Sequence, residues 1–257
     1  MGALLLLAGT ARSQSLAVSA RQMPKGSLKI LGYYQGTQSQ ETTFSVRGAA
    51  NCVSPNGVAF GCSQTGDVTA KGSGSMGIVK ALYQPGELVQ YYAAIGAGGY
   101  DLTLPSGKLS GNPGVSGSLG LRGTVYPDTI VTPGVAVDFG VTRSVFSYNR
   151  FEQGIPGQNT AVNHRLGMWQ YQFAVEIGHQ FAIEKGLAVE PYGGAKWVVI
   201  KTDLNDLQTG SHSGGTQNTV SPFLGVRVPF GEHEAVFVEG SQFVDGTQEA
   251  AGLEIRF

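Results

Sequence analysis

Trp169-Gln-Tyr-Gln-Phe-Ala-Val-Glu-Ile-Gly-His-Gln-Phe181 decides how the rest of the chain is read. Its odd positions Trp169, Tyr171, Phe173, Val175, Ile177 and Phe181 are apolar, while Gln170, Gln172, Glu176 and Gln180 between them are polar. A period of two is that of a strand with two different faces, whereas a helix would scatter both classes around its circumference. The apolar face also carries large hydrophobes over a membrane-spanning length, about 9–11 residues, where strands of soluble sandwiches are mostly nearer five or six.

The same alternation recurs outward from this stretch. Val131, Val135, Val137, Phe139 and Val141 oppose Thr132, Asp138 and Gly140; Leu119, Leu121 and Val125 oppose Ser116, Ser118, Arg122 and Thr124. Ten strands are predicted, near 27–36, 74–84, 87–100, 114–126, 129–147, 168–183, 187–202, 218–229, 234–244 and 248–257. Short turns at 85–86, 127–128, 184–186 and 230–233 alternate with Gly-rich polar loops at 37–73, 101–113, 148–167 and 203–217, and a brief one near 245–246. Tight turns at one end and excursions at the other are the pattern of a transmembrane β-barrel. The expectation is an all-β, closed, antiparallel up-and-down transmembrane barrel of ten strands. Two added strands within 37–73 would make twelve, and loss of an early pair would leave eight.

Composition agrees with this reading. The chain has 257 residues, 41 % hydrophobic and 14 % charged, with 39 Gly and a net charge of −1. Charge is well below the roughly 25 % of soluble domains and Gly about double its usual share of about 7 %. No apolar run approaches the ~18 residues of a spanning helix. The near-neutral charge gives no means of neutralising many phosphates, so nucleic acid is not an expected partner. The run Ala3-Leu-Leu-Leu-Leu-Ala8, followed by small residues, reads as a secretory signal within 1–20, cleaved near 13 or 20, ahead of a single barrel domain over 27–257.

The faces opposite the apolar ones carry balanced charge: Arg122, Asp138, Glu176, Glu190, Lys196, Arg227, Glu254 and Arg256, four acidic and four basic. Inside a closed barrel these are expected to pair across a hydrophilic lumen, because an unpaired buried charge is costly. Cys52 and Cys62 lie in the longest loop region and in an oxidising compartment are expected to form a disulfide. A loop that short would gain roughly 2–3 kcal/mol from closure. No set of His, Cys, Asp or Glu has metal-site spacing, and neither metal nor cofactor is expected. Ile95-Gly-Ala-Gly-Gly99 and Tyr192-Gly-Gly-Ala195 lack the helix that a phosphate-binding loop needs, and are read as strand.

The last residues alternate as Ala251, Leu253, Ile255 and Phe257 against Gly252, Glu254 and Arg256. This resembles the C-terminal assembly signal of bacterial outer-membrane β-barrels, which Gly252, Ile255 and Phe257 match. Ala250 stands where that signal has a polar residue. The resemblance implies an outer-membrane location, contact with outer-membrane lipids, and insertion by the barrel-assembly machinery with periplasmic chaperones. Omptin proteases and outer-membrane lipases, barrels that are enzymes, place Asp, His or Ser at their rims. By that likeness His212, with Ser211 or Ser213 and Asp203 or Asp206, is the one catalytic candidate. No second rim segment carries the paired acids an omptin needs. The expected function is therefore non-enzymatic, with surface loops in structural or contact roles. A narrow porin-like channel and a rim hydrolase are the alternatives.

Overall fold

The computed structural model describes residues 23–53, 59–153, 159–184, 187–243 and 246–257, and the side chains of these except 46–65, 184 and 243. Its strands are β1 (Leu28–Val53), β2 (Ala59–Tyr83), β3 (Val89–Leu104), β4 (Gly107–Tyr126), β5 (Gly134–Gln153), β6 (Asn159–Gly178), β7 (Phe181–Glu184), β8 (Leu187–Asp206), β9 (His212–Pro229), β10 (Glu234–Phe243) and β11 (Gly246–Arg256). Each pairs antiparallel with its neighbour, and β11 returns to β1, so ten strands form a closed ring with the short β7 attached only to β8. The closure runs from Lys29↔Arg256 to Gln38↔Thr247, and Leu28 and Phe257 exchange backbone hydrogen bonds of 3.1 and 2.7 Å at its end. Closing the ring leaves no unpaired edge, which a bilayer would not tolerate.

Alternation sets the two faces. On β6, Trp169, Tyr171, Phe173, Val175 and Ile177 point outward and are exposed, while Gln170, Gln172, Ala174 and Glu176 are buried inside. Ile95, Leu119, Leu121, Phe139, Trp197, Val220, Leu224, Val238, Leu253 and Ile255 continue the outer apolar belt around the ring.

Two sequence expectations need correction here. The regions 37–73, 101–113, 148–167 and 203–217, expected as loops, are largely strand: β1–β2, β3–β4, β5–β6 and β8–β9 extend as long hairpins. Their outward faces are largely polar and their inward faces mix polar residues with hydrophobes such as Phe44, Leu102, Leu109, Tyr148 and Leu166, so they lack the apolar-out, polar-in alternation of the spanning segments; Leu104↔Gly107 closes the β3–β4 hairpin within two residues. The strand expected from 129 starts instead at Gly134. Residues 127–133 form a loop bounded by Pro127 and Pro133, which lack a ladder donor, and pinned by Thr129 Oγ1 accepting the Thr132 amide. Ile130 and Val131 there are exposed. The signal expected within 1–20 lies outside the described residues.

The ring wall is uneven. β10 and β11 are much shorter than β9 and β1. Beyond their hairpin β1 turns at a bulge, where Ser39 adopts a φ of 54°, and leans onto β9 at Ser45↔Gly214.

Candidate functional site

The lumen is built from side chains of almost every strand, and it is layered. Toward the short-turn end lies a charged layer. Arg122 on β4 makes two hydrogen bonds, 3.1 and 3.0 Å, to Glu176 on β6, reaching past β5. Arg227 on β9 joins Glu190 on β8 at 2.8 Å to Glu254 on β11, which also takes Lys29 from β1 at 3.0 Å. Lys196 on β8 meets Glu239 on β10 at 3.0 Å. Asp138 on β5 accepts from Tyr92 and from Gln172, at 3.0 and 3.3 Å. Lys80 lies 4.1 Å over the Tyr92 ring.

The cross-strand glycines explain how this interior fits. Tyr92 stands opposite Gly120, which stands opposite Gly140. A Cβ at Gly120 would lie 2.2 Å from the Tyr92 ring, and one at Gly140 2.3 Å from its hydroxyl. Tyr192 lies over Gly225 in the same way. The ring fills the space two missing side chains leave, so its hydroxyl reaches Asp138.

Toward the hairpin end the lumen is apolar: Phe44, Tyr100, Leu102, Leu109, Phe146, Tyr148, Leu166, Met168, Val198 and Ile200 are buried together. Tyr100 and Phe146 are 5.1 Å apart, and Tyr100 donates to Gln40. This corrects the expectation of a wholly hydrophilic inside. A ten-strand ring lies close to the size that side chains fill, and above the charged layer those fillers are aromatic and aliphatic. Between the layers, Gln35, Ser116, Ser118, Thr142, Ser144 and Gln170, with Met76 and Met168, line a cavity of about 30 Å³. That is room for about one or two waters.

Of the eight predicted lumen charges, Arg122, Asp138, Glu176, Glu190, Lys196, Arg227 and Glu254 come together here. Arg256 sits at the mouth and donates instead to the Glu232 carbonyl at 2.6 Å. Lys29, Lys80 and Glu239 belong to the layer and were missed, although each sits at a polar step of an apolar alternation (Leu28-Lys-Ile30, Val79-Lys-Ala81, Val238-Glu-Gly240). At the closure, Gly252 stands opposite Tyr33, and Ile255 and Phe257 face outward or are exposed.

At the opposite rim His212 Nδ1 lies 2.6 Å from Asp203 and 3.1 Å from Asn205, on the β8–β9 hairpin. His164 faces Asp206 at 3.5 Å. The Ser211 hydroxyl lies 3.0 Å from that of Thr209, and among the described residues no serine hydroxyl is hydrogen-bonded to His212. An imidazole–carboxylate pair is present; the nucleophile of a triad is not joined to it. Hydrogen bonds from Thr209 and the Gln208 amide hold the Asp206 carboxyl below its ordinary range. His179, at the short-turn end, binds Asp128 at 2.7 Å and so ties loop 127–133 to the β6–β7 break. The register sets Cys52 opposite Phe60 and Cys62 opposite Ala50; the expected disulfide falls on side chains outside those described. Among the described residues no cluster of three His, Cys, Asp or Glu could hold a metal ion.

A family model described as the autotransporter beta-domain matches residues 84–231. Comparison with curated proteins gives no match. Among solved structures, the chain is similar to the translocator domain of autotransporter NalP from Neisseria meningitidis, at 12 % identity and a TM-score of 0.51 over 91 % of this chain and 89 % of that one. It is also similar to the outer membrane protease OmpT from Escherichia coli, at 13 % identity and a TM-score of 0.48 over 92 % and 98 %. A third is the outer membrane protein OprG from Pseudomonas aeruginosa, at 12 % and 0.45 over 93 % and 99 %. At these identities the likeness is one of fold.

Proposed function

The chain belongs to the autotransporter beta-domain family and is an integral β-barrel of the bacterial outer membrane; on that premise we propose that it acts without catalysis, through the hairpins it holds at the cell surface. The observation that carries this is the filled lumen. A translocator or a porin needs an open bore, and here a charged layer and an apolar layer occupy the interior, with about 30 Å³ between them. What the barrel does offer is a rigid ring that presents the long hairpins β1–β2, β3–β4, β5–β6 and β8–β9 at one end. Long excursions of this kind lie on the extracellular side of outer-membrane barrels. Assembly then runs through the barrel-assembly machinery and periplasmic chaperones, with β1 and β11 the last pair to close.

Planar-bilayer recording of the purified protein tests the reading: no steady current is expected, and a stable conductance would replace it with a channel. Incubation of the parent and a His212→Ala variant with peptide and lipid-ester substrates tests the absence of catalysis. Turnover by the parent that the variant lacks would make the rim pair an active site.

A further inference from the structure

Arg143 on β5, Trp169 on β6 and Lys201 on β8 stand directly opposite one another in the register, forming a crossbar on the outer wall. They mark the upper rim of the apolar belt, since Phe173, Val175 and Ile177 lie below them and the exposed Arg165 above. The Arg143 guanidinium lies 5.1 Å from the centre of the Trp169 ring, and Lys201 Nζ lies 6.0 Å from that of Tyr171. Trp169 and Tyr171 stack at 6.4 Å between the two cations. The guanidinium lies over Gly167, where a Cβ would come within 2.6 Å of Arg143 Nη2 and the arginine would have to shift.

Neither cation has a carboxylate partner among the described residues. Asp203, opposite Gly167 in the register, is engaged by His212. Below the crossbar Phe139, Phe173 and Trp197 stand in register, and with Tyr171 and Val199 they line a groove of about 320 Å³ on the outer wall. Two cations without protein anions, held on aromatic faces at the hairpin-side boundary of a bilayer, sit at the depth of lipid headgroups. The strands that carry them are two spacings apart, about 10 Å. Two long side chains can converge on one phosphate across that distance.

We infer that this crossbar and groove bind a phosphate-bearing lipid of the outer leaflet, with Arg143 and Lys201 on the phosphate and one acyl chain along Phe139, Phe173 and Trp197. The charge-assisted contacts give selectivity. The groove alone would accept any acyl chain.

The chain has only two tryptophans, Trp169 and Trp197, and both belong to this site, so fluorescence excited selectively at tryptophan reports on nothing else. The experiment reconstitutes the full chain in vesicles of phosphatidylcholine brominated on its acyl chains, which quenches both residues. Unbrominated lipid A carrying its phosphates is then titrated in, against the same lipid with the phosphates removed. The phosphorylated lipid should relieve quenching at about one-thirtieth the mole fraction needed by the dephosphorylated one, the size expected of two basic side chains at about 1 kcal/mol each on an anionic lipid surface. An Arg143→Gln, Lys201→Gln double variant should lose that difference and retain the heat-dependent gel mobility of a folded barrel. A Lys201→Gln single variant, which leaves the Arg143–Gly167 contact intact, should retain part of it. Equal relief by both lipids, or a double variant that folds and still prefers the phosphorylated one, overturns the assignment.

Discussion

Arg122 is among the largest fully buried side chains of the described residues, and its guanidinium is held by Glu176 through two hydrogen bonds. Arg122→Ala would leave Glu176 buried without the cation that holds it, so unfolding by denaturant in lipid vesicles should show a loss of about 3–5 kcal/mol. Gly120→Ala brings a methyl group onto the Tyr92 ring and the Phe139 carbonyl, and should cost about 1–3 kcal/mol in the same assay. Outside the membrane, Asp206 supplies a pH dependence. Its folded carboxyl titrates below the ordinary range because the ionised form accepts from Thr209 and Gln208. The turn is therefore fully supported above the ordinary carboxylate pKa and loses that support as pH falls through the lower, folded value. Amide exchange at Gln208 and Ser211 should rise on acidification, and Asp206→Asn should abolish the change. At this scale the sequence was partly legible. Charges lying between two hydrophobes could be assigned inward, but no spacing tells which acid meets which base across a ring. The Tyr92–Gly120–Gly140 fit was invisible because it depends on register, which alternation leaves free by steps of two.

The spanning strands were readable because oil on one side and a packed lumen on the other impose opposite demands on successive residues. β6 is the clearest instance. Phe173→Arg, at mid-belt, should cost about 2–4 kcal/mol in a vesicle-folding titration, whereas Gln170→Arg, facing the cavity between the lumen layers, should cost less. The hairpin extensions could not be read in this way. In β1 the run Thr37-Gln-Ser-Gln-Glu-Thr-Thr43 is polar at every step, although Thr37, Gln40 and Thr42 are buried while Gln38 and Thr43 are exposed, so its two faces differ in surroundings but not in residue class. Its pairing with β2 continues nevertheless, through Glu41↔Lys71 and their 3.1 Å ion pair. Conversely, Ile130 and Val131 kept the apolar rhythm of β5 but fall in the loop before Gly134, where two prolines interrupt the ladder. Apolar alternation is thus a record of a strand's lipid-facing side rather than of hydrogen bonding itself.

For the molecule as a whole, the layered interior predicts an electrically silent barrel, and single-channel recording across a range of voltages checks it. The apolar layer of Tyr100, Phe146 and their neighbours was not foreseen because residues facing a lumen were equated with residues facing water. In a bore this narrow an inward side chain meets mainly other side chains. The charged layer carries a further consequence. Lys29, Lys80, Arg122, Lys196 and Arg227 balance Asp138, Glu176, Glu190, Glu239 and Glu254, and these ten come from nine of the ten ring strands. Glu254, on the final strand, needs Lys29 from the first and Arg227 from the ninth before its charge is matched. A sheet halted partway around would hold bare ions against hydrocarbon. Entry into the bilayer should therefore be concerted: intermediates stay curled with their ionic side toward water until the circle is complete, and a partially rolled-up form has no comfortable resting place in the lipid.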